Sequence, residues 1–150
     1  MENHPSLNRR LAVVWSAALL AAAAAPPALA LTRGATSQGR AFLAGGVGRD
    51  DVQGMEAERD RYSLWIITAA RLSGAYLADV ELSITNEKGV KVFERKLEGP
   101  WLMIDLPLGR YEVQARMAQE SQSRVTTIHP GDHHQMVLYF SVDADVLPKR

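Results

Sequence analysis

Between Tyr62 and Val142 apolar and polar side chains change places with a period of two, the spacing of extended chain. The cleanest stretch is Arg110–Met117. Tyr111, Val113, Ala115 and Met117 share one face, and Arg110, Glu112, Gln114 and Arg116 share the other. A slip of one residue would bury four polar side chains, so the register is firmly set. Ala78, Val80, Leu82 and Ile84 alternate with Asp79, Glu81, Ser83 and Thr85 in the same way. Tyr62–Ala70 is apolar on both faces at Leu64, Trp65, Ile66 and Ile67, which predicts a strand covered on both sides. Val90–Leu97 alternates imperfectly, and a bulge near Val92-Phe93 would let both point inward. Trp101–Leu106, with Leu102, Ile104 and Leu106 on one face, Arg124–His129 and Gln135–Val142 complete seven predicted strands. Ser73-Gly74, Asn86–Gly89, Glu98-Gly99-Pro100 and Pro107-Leu108-Gly109 supply turns, and Gly109 is expected to take a positive φ.

No helical period separates these strands, so parallel βαβ units are not expected. The pattern predicts an all-β fold, a seven-stranded antiparallel Greek-key β-sandwich over residues 62–142, with one short N-terminal helix. That helix is placed at 50–61. Asp50 or Asp51 would cap it, and Val52, Met55 and Arg59 would share a face. Gly54 inside it costs roughly 1 kcal/mol relative to Ala. Residues 31–49, rich in Gly, Ala, Ser and Thr, read as a flexible arm with a short strand around Arg40–Leu43. Residues 143–150 read as a polar tail.

Residues 1–30 have a different character. Arg9-Arg10 precede an uncharged Ala/Leu-rich run from Leu11 to Ala25, which Pro26-Pro27 ends. Ala28-Leu29-Ala30 has the small-x-small spacing of a cleavage site, which predicts a signal peptide cut after Ala30. The apolar run falls short of the roughly 20 residues that span a bilayer. A periplasmic or secreted protein with no membrane span after signal cleavage is therefore expected. The arginine pair leaves both ordinary secretion and twin-arginine export open.

Seventeen Lys and Arg balance 17 Asp and Glu among the 150 residues, and the signs are interspersed, so no polyanion site is expected and nucleic acid is not a predicted partner. The absence of cysteine removes disulfides, thiolate metal sites, cysteine nucleophiles and lipid anchoring through a leader cysteine.

Two segments bear a family likeness. Gly74-Ala75-Tyr76-Leu77-Ala78-Asp79-Val80 leads into a strand and is followed by Gly89. Leu106-Pro107-Leu108-Gly109-Arg110-Tyr111-Glu112-Val113 resembles the L-P-x-G-x-Y-x-V segment of carboxypeptidase regulatory-like (transthyretin-like, prealbumin-like) sandwich domains. With Gly45-Gly46-Val47-Gly48 upstream, residues 45–142 look like the small secreted bacterial proteins built on one such domain. The resemblance implies a seven-stranded prealbumin-like sandwich, no catalysis of its own and an accessory or interaction role. It marks Gly74, Tyr76, Asp79, Gly89, Pro107, Gly109 and Tyr111 as structural positions. The purine-pathway hydrolases of that superfamily end in Tyr-Arg-Gly-Ser, whereas this sequence closes on Leu147-Pro148-Lys149-Arg150, which counts against their activity.

The densest set of potential ligands is His129-Pro130-Gly131-Asp132-His133-His134. Two readings of it stand: a solvated turn, or a zinc or copper site on His129, Asp132, His133 and His134. Adjacent His133 and His134 on a strand would face opposite ways, which counts against a shared ion. Met55, Met103, Met117 and Met136 are further soft donors, although Met117 and Met136 occupy inward strand positions. Ser37, Ser63 and Ser121 lie in no nucleophile motif, and the glycines at 45–48 lack the context of a nucleotide loop. Trp65 is expected in the core. Trp101 either covers the open end of the sandwich or, exposed beside Leu102, forms a contact surface. The expectation is an exported non-enzymatic interaction module with no cofactor and an unidentified envelope partner. A metal-binding envelope protein and a transthyretin-type hydrolase are the alternatives.

Overall fold

The computed structural model describes residues 31–142. The leader at 1–30 and the tail at 143–150 lie outside the described residues. Nine strands run in chain order: β1 (Thr32–Ala35), β2 (Ala41–Gly45), β3 (Leu64–Ala70), β4 (Val80–Asn86), β5 (Lys91–Leu97), β6 (Trp101–Ile104), β7 (Gly109–Met117), β8 (Glu120–Ile128) and β9 (His134–Phe140). They form a five-stranded sheet ordered β1-β2-β6-β3-β9 and a four-stranded sheet ordered β5-β4-β7-β8. Among the described residues the fold is all-β in two sheets, with helix confined to α1 (Arg49–Ala57) and a 3-10 turn at Arg59–Arg61.

Residues 62–142 hold seven strands, β3–β9, and two more precede them, so the described residues carry nine. The segment read as an arm forms the β1–β2 hairpin, with Thr32 opposite Ala44 and Ala35 opposite Ala41. The short strand expected around Arg40–Leu43 is β2, where Phe42 and Leu43 are buried; β1 was concealed by its small and polar composition. β2 then pairs with β6, Phe42 facing Ile104 and Gly45 facing Trp101. The expected all-antiparallel pairing is corrected at one place: β9 runs parallel to β3, from Leu64 opposite His134 to Ala70 opposite Phe140. Alternation within a strand carries no information about a partner strand's direction.

β7 keeps the expected register. Tyr111, Val113 and Ala115 are buried, and Arg110, Glu112, Gln114 and Arg116 are exposed. The bulge in β5 is present as well. Ile84 lies opposite Phe93 and Thr85 opposite Lys91, so Val92 is the extra residue and both Val92 and Phe93 turn inward. Gly109 has φ 143°. Leu82, Ile84, Val113, Leu64, Ile66, Leu102 and Leu138 meet between the two sheets as the main core.

A second apolar cluster explains why β3 and β6 are buried on both faces. Leu43, Trp65, Ile67, Trp101 and Met103 project from the outer side of the five-stranded sheet, where Met55 and Tyr62 cover them. Helix α1 is therefore a third layer, with Met55 fully buried on its inner side and Val52 packed nearby. The Arg59 guanidinium lies 4.9 Å over the Trp65 ring. The expected Asp cap is corrected: Gly48, at φ 86°, is the N-cap, and Asp50 and Asp51 lie in the first turn, where acidic groups favour the helix dipole.

The L-P-x-G-x-Y segment makes a tyrosine corner. The Tyr111 hydroxyl donates to the Pro107 carbonyl at 2.8 Å, tying the start of β7 to the turn before it. Burial pushes the phenol's pKa up. Tyr111→Phe removes this bond and little else. It is expected to cost about 1 kcal/mol in urea unfolding with the slope unchanged.

Candidate binding face

The polar side of the four-stranded sheet carries an open groove of about 840 Å³. The period of two puts alternate residues of all four strands there, and the pairing aligns them in rows. One row runs Lys96, Glu81, Arg116, Ser121, and the next runs Glu94, Ser83, Gln114, Ser123. A third places Lys91, Thr85, Glu112 and Val125 side by side.

Charge on this face is arranged pairwise. Arg116 pairs with Glu81 across β7 and β4, and Lys91 pairs with Glu94 at 2.9 Å along β5. Lys96 reaches Asp79 at 3.5 Å. These pairs are exposed, so each contributes little to stability. Glu112 accepts from the Ser123 hydroxyl at 2.6 Å and from the Gln114 amide at 3.2 Å. Those two bonds hold its carboxyl below the usual range. The groove thus offers donors and acceptors in a regular array on strand backbones, with side chains already oriented by one another.

The structure does not gather the residues of the His129–His134 segment around one point. His133 Nδ1 bonds the Tyr62 carbonyl at 2.8 Å, and His134 Nε2 meets the Thr126 hydroxyl at 2.8 Å. Asp132 accepts the His129 backbone N–H at 2.6 Å, closing a turn that also returns the Asp132 N–H to the His129 carbonyl. Among the described residues no three His, Asp or Glu side chains converge as a metal site. The opposed directions expected for His133 and His134 are what separates them: one ring clamps the chain entering β3, the other the end of β8.

Trp101 and Leu102 are corrected as a contact surface. Trp101 is 4 % exposed and Leu102 fully buried. Trp101 stacks edge-on against Trp65 at 4.7 Å and against Tyr76 at 5.8 Å. Tyr76, which bridges to Ala69, is the exposed member of that stack. Gly74 and Gly89 take positive φ in their turns, as does Asp79 at φ 62°, where its N–H donates to the Leu97 carbonyl at 2.8 Å.

No family model matches this sequence, and a search of curated proteins returned no significant match.

Among the serines considered for nucleophilic roles, Ser63 is buried, its hydroxyl receiving the Leu106 N–H at 2.9 Å, and the Ser37 hydroxyl reaches the Lys91 carbonyl at 3.3 Å. Ser121 lines the groove. Sequence reasoning assigned the outward residues of β4, β5 and β7 to a solvated surface and missed the groove. The signal lay in the alternation itself: if one face of each strand is core, their other faces must form one surface once the strands are neighbours. Among the described residues, no helix is long and apolar enough to cross a membrane.

Proposed function

We propose that this chain is an exported, non-enzymatic binding module, a periplasmic interaction or accessory protein on a prealbumin-like Greek-key sandwich of the carboxypeptidase regulatory-like kind. The observation that carries it is the groove of about 840 Å³ on the polar face of the four-stranded sheet, lined by hydrogen-bonding side chains held on rigid strands. Such a face suits an extended polar segment of a partner, which would meet successive rows along its length.

The strand plan supports the family reading. Without the β1–β2 hairpin, three strands (β6-β3-β9) face four (β5-β4-β7-β8). From β3 onward, apart from the β4–β5 and β7–β8 hairpins, each connection passes from one sheet to the other, the habit of Greek-key chains. The Tyr111–Pro107 bond gives the L-P-x-G-x-Y segment a structural reason for its residues. Export rests on the leader-like pattern of residues 1–30.

A photo-reactive residue at Gln114, in the groove, is expected to yield a discrete cross-linked species in envelope extracts, while the same residue at Glu56, on the exposed side of α1, gives none. Arg116→Glu, which reverses one charge of the array, should reduce the Gln114 adduct several-fold. Equal adducts from both positions, insensitive to Arg116→Glu, would refute the assignment of this face.

A further inference from the structure

Among the described residues three buried side-chain polar atoms lack a hydrogen-bond partner, Trp65 Nε1, Trp101 Nε1 and Asp51 Oδ2, and only the last belongs to an acidic group. Asp51 Oδ2 is inaccessible and, among the described residues, accepts no hydrogen bond. Leaving a carboxylate oxygen desolvated and unpaired is costly, so a missing donor is the simplest account. Leu31 is its neighbour. A Cβ placed on Gly45 would lie 3.4 Å from Asp51 Oδ2, 3.6 Å from Leu31 Cα and 2.6 Å from Leu31 Cδ2. The Leu31 backbone and the carboxylate thus surround one point, which only glycine leaves open. The Leu31 side chain anchors this position, because it packs against the cluster under α1 and lies 3.3 Å from the Cβ site of Gly54.

We propose that hydrolysis of the Ala30–Leu31 bond creates the missing partner: the new α-ammonium of Leu31 forms an ion pair with Asp51. This rests on the export reading given above. In the reaction, a peptidase of the export pathway adds water across the amide. Ala30 leaves with the carboxylate, and Leu31 keeps the nitrogen, which takes up a proton. A neutral amide with one N–H becomes a cation with three donors, about 1.5 Å from Leu31 Cα. The charge pair ties the first residue of β1 to the first turn of α1. Processing therefore locks the β1–β2 hairpin and the helix onto the five-stranded sheet, and the mature chain is more stable than its precursor.

The test uses the exported protein and a form with two serines inserted between Ala30 and Leu31, each with and without Asp51→Asn. N-terminal sequencing comes first: a mature chain beginning at Leu31 is required, and any other start overturns the proposal through its processing step. With that start established, the wild-type form is expected to melt roughly 5 °C above the inserted form. Asp51→Asn should abolish the difference between the two forms, lowering the wild type by roughly 5 °C more than the inserted form, since its effect on the helix itself is common to both. Acylation of the α-amine should be at least tenfold slower in the wild type than in the inserted form, a readout that does not depend on the Asn variant folding. Equal midpoints and equal acylation rates, with Leu31 first, would overturn the ion pair while leaving export and the binding face intact.

Discussion

Val113→Asp is expected to remove most or all of the folded population, with a loss of about 4 kcal/mol or more. Val113 is fully buried on β7, between Ile84 of β4 and the opposite sheet. A carboxylate there finds no partner among Leu82, Ile84, Leu102 and Leu138, and must either ionise in an apolar interior or carry its proton at neutral pH. A domain of this size has a total margin of about 5–15 kcal/mol, so one such charge consumes a large part of it. Arg110→Asp, on the exposed face of the same strand, should stay within about 0.5 kcal/mol of wild type. Urea titration followed by far-ultraviolet circular dichroism separates the two, and equal tolerance would contradict the burial of Val113 and with it the register of β7.

Gly99→Ala is the second large effect, and composition alone gives no warning of it. Gly99 sits in the turn before β6, and its Cβ site lies 2.3 Å from the Gly45 carbonyl oxygen and 2.7 Å from its carbon. These are backbone atoms of β2, the strand that pairs with β6. No rotamer change relieves the contact, so an added methyl must push the β1–β2 hairpin away from its sheet. We expect about 3 kcal/mol of destabilisation by urea unfolding. Gly39→Ala is the contrasting case. Its Cβ site is open, so only its φ of 73° resists substitution, at roughly 1 kcal/mol. If the two substitutions cost the same, close backbone approach at Gly99 is not what fixes the hairpin.

The strands that could be read in advance were those with one wet face. Arg110–Met117 and Val80–Thr85 announced themselves because solvent on one side forces alternation. The double-faced burial of Leu64–Ala70 was equally legible, but the layer responsible was not: α1 covers it with a single fully buried side chain, Met55. β2 was legible as a short strand around Arg40–Leu43, but β1 was hidden because its small and polar residues have the composition of a linker and it becomes a strand only through its partner, β2, which in turn pairs with β6. The direction of β9 and the burial of Trp101 likewise depend on contacts between distant segments. At the candidate site every lining residue type was visible, yet the rows exist only because β4, β5, β7 and β8 are spatial neighbours. The His129–His134 segment shows the opposite: its residues are adjacent in sequence, and local strand geometry turns His133 and His134 toward different partners.

Because the sequence contains no cysteine, single cysteines placed one at a time from Arg110 to Met117 give the most direct test of the alternating face on which core and groove both depend. Thiol labelling of the folded protein is expected to be fast at 110, 112, 114 and 116 and at least tenfold slower at 111, 113 and 115, a period of two. Uniform rates, or a repeat of three to four residues, would contradict the sheet and remove the groove with it.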